Sequence, residues 1–210
     1  MVQASRRAGV TGSALHRLLA RLNDTHVPEP QQAFAQRLSQ WLGWVDAISL
    51  SAALDGGAAV TAAAEASGSA EERECARVRA ALAKAIGQDS ATADATASFA
   101  QHRRRYVNRQ QAMETAIGPL RARLRATLAS RSPAMARLAA MDAVMEQALG
   151  AQEHRLLATV PALLEKHFER LRRDDQPAHA FGKDMQSVLL AELDIRLQPV
   201  EGLLAALRKR

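Results

Sequence analysis

Phe99–Leu124, FAQHRRRYVNRQQAMETAIGPLRARL, decides the fold class. Phe99, Tyr106, Met113 and Leu120 stand seven residues apart, and Ile117 and Leu124 take companion positions three or four residues away. A seven-residue apolar repeat keeps one seam of an α-helix turned toward a neighbouring helix along its length. The early companions are Arg103 and Gln110, so the seam starts weak and strengthens from Met113 onward. Gly118 and Pro119 interrupt it. Proline lacks a backbone donor and crowds the preceding turn, which predicts a kink or break there.

Working outward, the composition agrees with helices. Aromatics make up only 3% of the 210 residues, β-branched residues are scarce, and no run alternates apolar with polar in the manner of a strand. The expected fold is all-α: an N-terminal helical hairpin plus long, antiparallel, coiled-coil-like helices. Residues 1–55 form the hairpin and carry Trp41 and Trp44. Residues 56–97 form a flexible linker with one short helix at about 69–86, where Ser69 and Glu72 have capping-box spacing and Gly87 closes the helix. Residues 98–174 form a long basic helical hairpin, and 183–208 a C-terminal helix.

Within these parts the boundaries follow local chemistry. Thr11 or Ser13 caps a first helix whose edge is Leu15, Leu18, Leu19 and Leu22. Ser132 followed by Pro133 restarts the chain after the basic helix. From there Leu138, Met141, Met145, Leu149, Leu156, Val160, Leu163, Leu164, Phe168 and Leu171 trace one apolar face, and Pro133 to Leu171 would run roughly 60 Å at about 1.5 Å per residue unless Gly150 and Pro161 shorten it. The last helix carries Met185, Val188, Leu189, Leu193, Leu197, Val200, Leu204 and Leu207, with Pro199 in its middle. Its LQPVEGLLAAL echoes IGPLRARLRATL around Pro119, a likeness that chance in a leucine-rich chain explains as well as duplication does.

A second stretch, Gln31–Leu54, holds both tryptophans. Phe34, Leu38, Trp41, Leu42, Val45, Ile48 and Ala52 recur at helical spacing. One tryptophan anchors the core; the other is either a second core residue or an exposed docking residue, since tryptophan is enriched in interface hot spots. His16–Pro30, HRLLARLNDTHVPEP, followed by Gln36–Leu54, QRLSQWLGWVDAISLSAAL, resembles the N-terminal signature of an uncharacterised proteobacterial family, a domain of unknown function numbered 3348. The resemblance is strongest over Val2–Asp55. It implies a bacterial cytosolic protein encoded near proton-channel-type and OmpA-like proteins, and it carries no catalytic residues over.

Motifs for chemistry are absent. The sequence has no nucleophile elbow, no phosphate-binding loop ending in Gly-Lys-Ser/Thr and no dinucleotide fingerprint. Cys75 lies on a helical stripe with Val78, Leu82 and Ile86 and reads as a small core residue. No Glu-x-x-His pair occurs, so no metal and no cofactor are expected. No run approaches the roughly 20 apolar residues of a membrane span, and Leu15–Leu22 is broken by His16, Arg17 and Arg21 where a secretion signal needs an apolar centre. A cytoplasmic location follows.

Charge is the remaining signal. The net charge is +6, yet between Phe99 and Arg137 nine arginines face Glu114 alone, a local excess of eight. Arg103, Arg104, Arg105 and Arg109 can lie along phosphates, with Tyr106 stacking on a base. They can equally pair with Glu146, Glu153, Glu165 and Glu169 of the following helix. The expected function is therefore a non-enzymatic helical interaction or adaptor protein. It would bind a protein partner, or a second copy, through Met113, Ile117 and Leu124 or through Trp41 and Trp44. The alternative is a basic nucleic-acid-associated protein acting through Arg103–Arg109.

Overall fold

The computed structural model describes residues 13–24, 44–55, 67–91 and 97–208. Among them are seven α-helices and no strands: α1 (Ala14–Leu22), α2 (Trp44–Asp55), α3 (Ser67–Ala91), α4 (Phe99–Ala129), α5 (Pro133–Leu157), α6 (Val160–Arg173) and α7 (Ala178–Arg208). The chain is all-α, as the apolar periodicity requires.

Local chemistry sets most of the ends. Ser13 Oγ accepts from the His16 amide, and Ser132 Oγ from the Met135 amide at the start of α5, with Pro133 in its first turn. The Gln101 side chain accepts from the Ser98 amide and steadies the start of α4. Just past α1 and α6, Asp24 and Asp175 take left-handed φ values of 49° and 51°, a conformation that aspartate tolerates at helix ends.

Helices α4 and α7 are the central pair. Tyr106 bonds to Glu192, Glu114 to Arg196, and Arg131 to the Leu207 carbonyl, so positions rise together and the two helices run parallel. Helix α3 runs antiparallel to both, with Arg109 on Asp89, Arg123 on Glu71, and Arg79 on Asp194 and Glu201. Helices α5 and α6 return along the other side of α4. Helix α1 packs on α7, and α2 packs on the outside of α5.

The two heptad faces meet in this arrangement. Tyr106, Met113, Ile117, Leu120 and Leu124 of α4 are buried, as are all eight apolar positions expected on α7. Met113, Ile117 and Leu124, expected to hold a partner helix, are core residues of this chain: the seam is covered by α7 and α3. The buried stripe Cys75, Leu82 and Ile86 makes α3 an integral core helix, which corrects its reading as a short helix in a linker. It runs from Ser67 to Ala91, so Ser69 lies inside its first turn and Gly87 within it. A Cβ at Gly87 would meet only Gln186 Nε2 at 3.7 Å, ordinary contact that gives the helix no reason to stop.

Pro119 and Pro199 sit inside unbroken helices. An interior proline costs about 3 kcal/mol, and burying one leucine returns about 1.5 to 3 kcal/mol. Leu120 and Leu124 beside one proline, and Leu197 and Val200 beside the other, hold each helix together. Pro161 acts differently. The chain turns at Ala158 and Thr159, and Pro161 falls in the first turn of α6, where its missing donor is harmless. The break buries Leu157 and leaves Leu156 exposed, so Leu156 is not on the core face. Helix α7 begins five residues before the expected 183, which brings Phe181 into the core.

The expected hairpin of residues 1–55 falls largely outside the described residues. Of its helices, α1 lies against α7 and α2 against α5. The segments 56–66 and 92–96 of the expected linker also lie outside them.

The α4, α6 and α7 ends meet in a cluster of Phe99, Phe168 and Phe181 with two histidines. The His102 and Phe181 rings are 4.9 Å apart and T-shaped, as are Phe168 and Phe181. His102 is 4% exposed and its Nδ1 has no hydrogen-bond partner. Burial, and then the Arg105 charge, hold its pKa below the ordinary value near 6.5. A histidine with a lowered folded-state pKa is protonated first in the unfolded chain. Its contribution to stability is complete above the ordinary value and is lost as pH falls through it. Thermal unfolding should therefore shift to lower temperature between pH 7.5 and 5.5, and His102→Leu should flatten that dependence; an unaltered slope would show that other groups govern it.

Candidate functional site

A groove opens on the side of α4 where α5 and α7 draw apart. Its larger lobe, about 520 Å³, has Ile117, Met145, Leu149 and Pro199 on its floor and Glu114, Glu146, Glu153 and Arg196 around it. A smaller lobe of about 250 Å³ continues past Gln110 and Val107 toward Arg103, beside the turn between α5 and α6. Glu114, His154 and Arg196 line both lobes. His154 Nδ1 lies 3.3 Å and Arg196 3.5 Å from Glu114 Oε1, loose contacts in an exposed position.

Beneath the groove is a buried polar knot. Glu192 has no exposed surface, and neither has Tyr106, whose hydroxyl donates to it at 2.5 Å. Gln110 Nε2 donates to both Glu192 oxygens at 3.0 and 3.1 Å and also reaches the Leu157 carbonyl at the end of α5, at 3.2 Å. Arg196, one turn along α7, donates to Glu192 at 2.9 Å. Burial, and then the facing carboxylate, push the Tyr106 hydroxyl far above its usual range. It stays protonated and acts as a donor. The Glu192 oxygens are therefore fully engaged and out of reach of a substrate.

A comparison with protein families matches residues 1–209 to the family described as Protein of unknown function (DUF3348). The chain belongs to this family. The match covers nearly the whole DUF3348 chain, well past the Val2–Asp55 stretch in which the resemblance is most evident in sequence. No curated protein and no solved structure matches it significantly. Among the described residues no group of three or more His, Cys, Asp or Glu is placed to hold a metal ion, and no helix is long and apolar enough to cross a membrane.

Four of the nine arginines in the basic stretch of this DUF3348 protein are paired with acids of the same chain. Arg109 grips Asp89 with two bonds, of 2.5 and 2.8 Å. Arg121 takes Asp142 in the same forked way, at 2.9 and 2.8 Å, and Arg125 joins Asp142 to Glu146 at 3.0 and 2.6 Å. Arg123 faces Glu71 and Glu74, and Arg131 bonds to the Leu207 carbonyl. Arg103 and Arg104 are exposed without a partner among the described residues. Arg105 is half buried with Nη1 unpaired. Of the acids expected to meet these arginines, Glu146 does so, while Glu165 and Glu169 stay exposed.

Trp41 lies outside the described residues. Trp44 begins α2, and its side chain is outside them too. Cys75 is buried, and burial followed by the nearby Glu201 charge pushes its thiol pKa up, so it is a packed thiol whose nucleophilic thiolate is disfavoured.

Sequence reading misses His167. It is buried; its Nε2 lies 2.7 Å from Asp184, and its Nδ1 accepts from Arg170 at 3.1 Å. Since Arg170 is always a donor, the ring proton belongs on Nε2, pointing at Asp184. Arg170 also bonds to Asp24 and to the Leu22 carbonyl, tying the end of α1 to α6.

Removing one partner from a buried ion pair strands the other, at a cost of about 3 to 5 kcal/mol. Glu192→Leu should destabilise the protein by about that much in urea unfolding. Tyr106→Phe, which leaves Gln110 and Arg196 on the carboxylate, should cost about 1 to 3 kcal/mol. A Glu192→Leu protein as stable as the wild type would show that the knot does not hold α4 to α7.

Proposed function

We propose that this protein is a non-enzymatic helical interaction module that takes a protein partner along the α4, α5 and α7 groove. What supports this reading is the state of the apolar face of α5. Only Ala136, Ala139 and Leu157 of that helix are buried, while Met145 and Leu149 remain half exposed on the groove floor. Apolar side chains left in a concave surface are suited to docking. The groups best suited to chemistry, Glu192, Tyr106 and Cys75, are buried, and the two oxygen-bearing ones bind each other.

The other reading, phosphate binding through Arg103, Arg104, Arg105 and Arg109, has less to work with. Arg109 is clamped by Asp89, and only Arg103 and Arg104 are both exposed and without a carboxylate partner among the described residues. Two cations make a shallow salt dependence and a weak grip on a nucleic acid.

A photo-activated cross-linking residue at Leu149 or Val107, introduced in cells that make the protein naturally, should yield one discrete adduct with another protein. The same residue at exposed Ala80, on α3, which lines neither lobe, should not. Proton-channel-type and OmpA-like proteins are the candidates to look for among the adducts. No protein adduct at either groove position, or equal adducts at Ala80, would overturn the reading.

A further inference from the structure

We infer that the groove is built for a cationic amphipathic helix, an inference that rests on the interaction reading and names the chemistry of its partner. Shape is the first argument. The two lobes share three lining residues and together follow α4 from Arg103 to Arg121, about 27 Å at 1.5 Å per residue, or roughly five helical turns. A trough of that length beside three helices suits a fourth helix with its apolar residues on one side. Ile117, Met145 and Leu149 form the strip against which such residues would lie.

The sign of the charge is the second argument. Every guanidinium lining the larger lobe is already engaged: Arg121 with Asp142, and Arg196 with Glu192. Its carboxylates are not all engaged. Glu153 has no partner among the described residues, and Glu114 has only its loose contacts with His154 and Arg196. An incoming lysine or arginine finds open acceptors in this lobe, and an incoming acid finds no free guanidinium there. The unpaired Arg103 lies at the opposite end of the trough, in the smaller lobe, where the end of the partner helix has to be free of lysine or arginine. This local preference is opposite to that of the whole chain, whose net charge of +6 attracts anions at long range. Unspecific attraction would therefore favour an acidic peptide over a basic one.

Two 18-residue helical peptides test it, each with leucines along one face and the other face entirely lysine or entirely glutamate up to an uncharged end turn. Binding is read by fluorescence anisotropy and by the methyl resonance of Met145, with core Met113 as the internal control. The lysine peptide should bind and move the Met145 signal, and Glu114→Gln with Glu153→Gln should weaken it tenfold or more. Both sites are at the surface and the change is isosteric, so the fold is not at risk. If the glutamate peptide binds as tightly, the charge assignment falls while the docking groove stands. If the lysine peptide binds with Met145 unmoved, or the double variant binds it unchanged, the groove is not its site and the inference fails. If neither peptide binds, the inference fails, and the adduct at Leu149 or Val107 decides separately whether a partner of another kind docks there.

Discussion

A carboxylate without exposed surface has to be satisfied where it lies, and Glu192 imposes that condition on the whole bundle. Its acceptors are met by Tyr106 and Gln110 from α4 and by Arg196 from α7 itself. The same Gln110 amide reaches the last carbonyl of α5. Three helices are thus fixed relative to one buried charge. Apolar packing alone would fix them less well, because a heptad seam slid by one repeat still presents apolar residues to apolar residues. Sliding α7 along α4 would leave Glu192 without its hydroxyl and amide donors in the core, where an unpaired charge costs several kcal/mol. Burial supplies the driving force, and the polar knot selects the register.

That division of labour explains how much of the structure is legible in the sequence. The buried face of α7 can be read residue by residue from Met185 to Leu207, and the stripe of α3 from Cys75 to Ile86, because helical periodicity records which side is dry. The Ser13 and Ser132 caps are equally visible. Helix lengths are harder. Pro119 and Pro199 are local signals to stop, and each is overridden by apolar neighbours on both sides that are already committed to the core; past Gly87 the helix runs on through Asp89, which pairs with Arg109. Pro161 coincides with a real turn since the chain there must bring Val160 and Leu164 back onto α4.

The polar interior is where reading from sequence ends. Glu192 looks like any other solvated glutamate on a helix, and His102 and His167 stand among neighbours that give no hint of burial. Apart from Arg196 and Arg170 on their own helices, the partners of Glu192 and His167 come from other helices, 86 residues away for Tyr106 and Glu192 and 17 for His167 and Asp184. Spacing along one helix holds no trace of such pairs. The aromatic cluster is hidden for the same reason: Phe99, Phe168 and Phe181 come from three helices and meet only when the bundle closes. Only Tyr106 carried a sign, as the one phenol in a heptad seam, since a buried hydroxyl needs a partner.

The arginines show why a charge run in sequence is a poor guide to surface charge. A local excess of eight suggests an exposed basic face, but forked pairs with Asp89 and Asp142, and further pairs with Glu71, Glu74 and Glu146, place four of the nine arginines against acids on α3 and α5. Those acids lie on the antiparallel helices that pack against α4, so the pairs form where burial has already brought the helices together. Once they are engaged, the charges left to meet another molecule are the ones that ion pairing did not use. In the larger lobe of the groove these are Glu153 and the loosely held Glu114, both negative, on a chain that is positive as a whole, while the unpaired Arg103 stands at the far end of the smaller lobe. The sign of a contact surface is set by what remains after folding, so a basic protein can present an acidic trough.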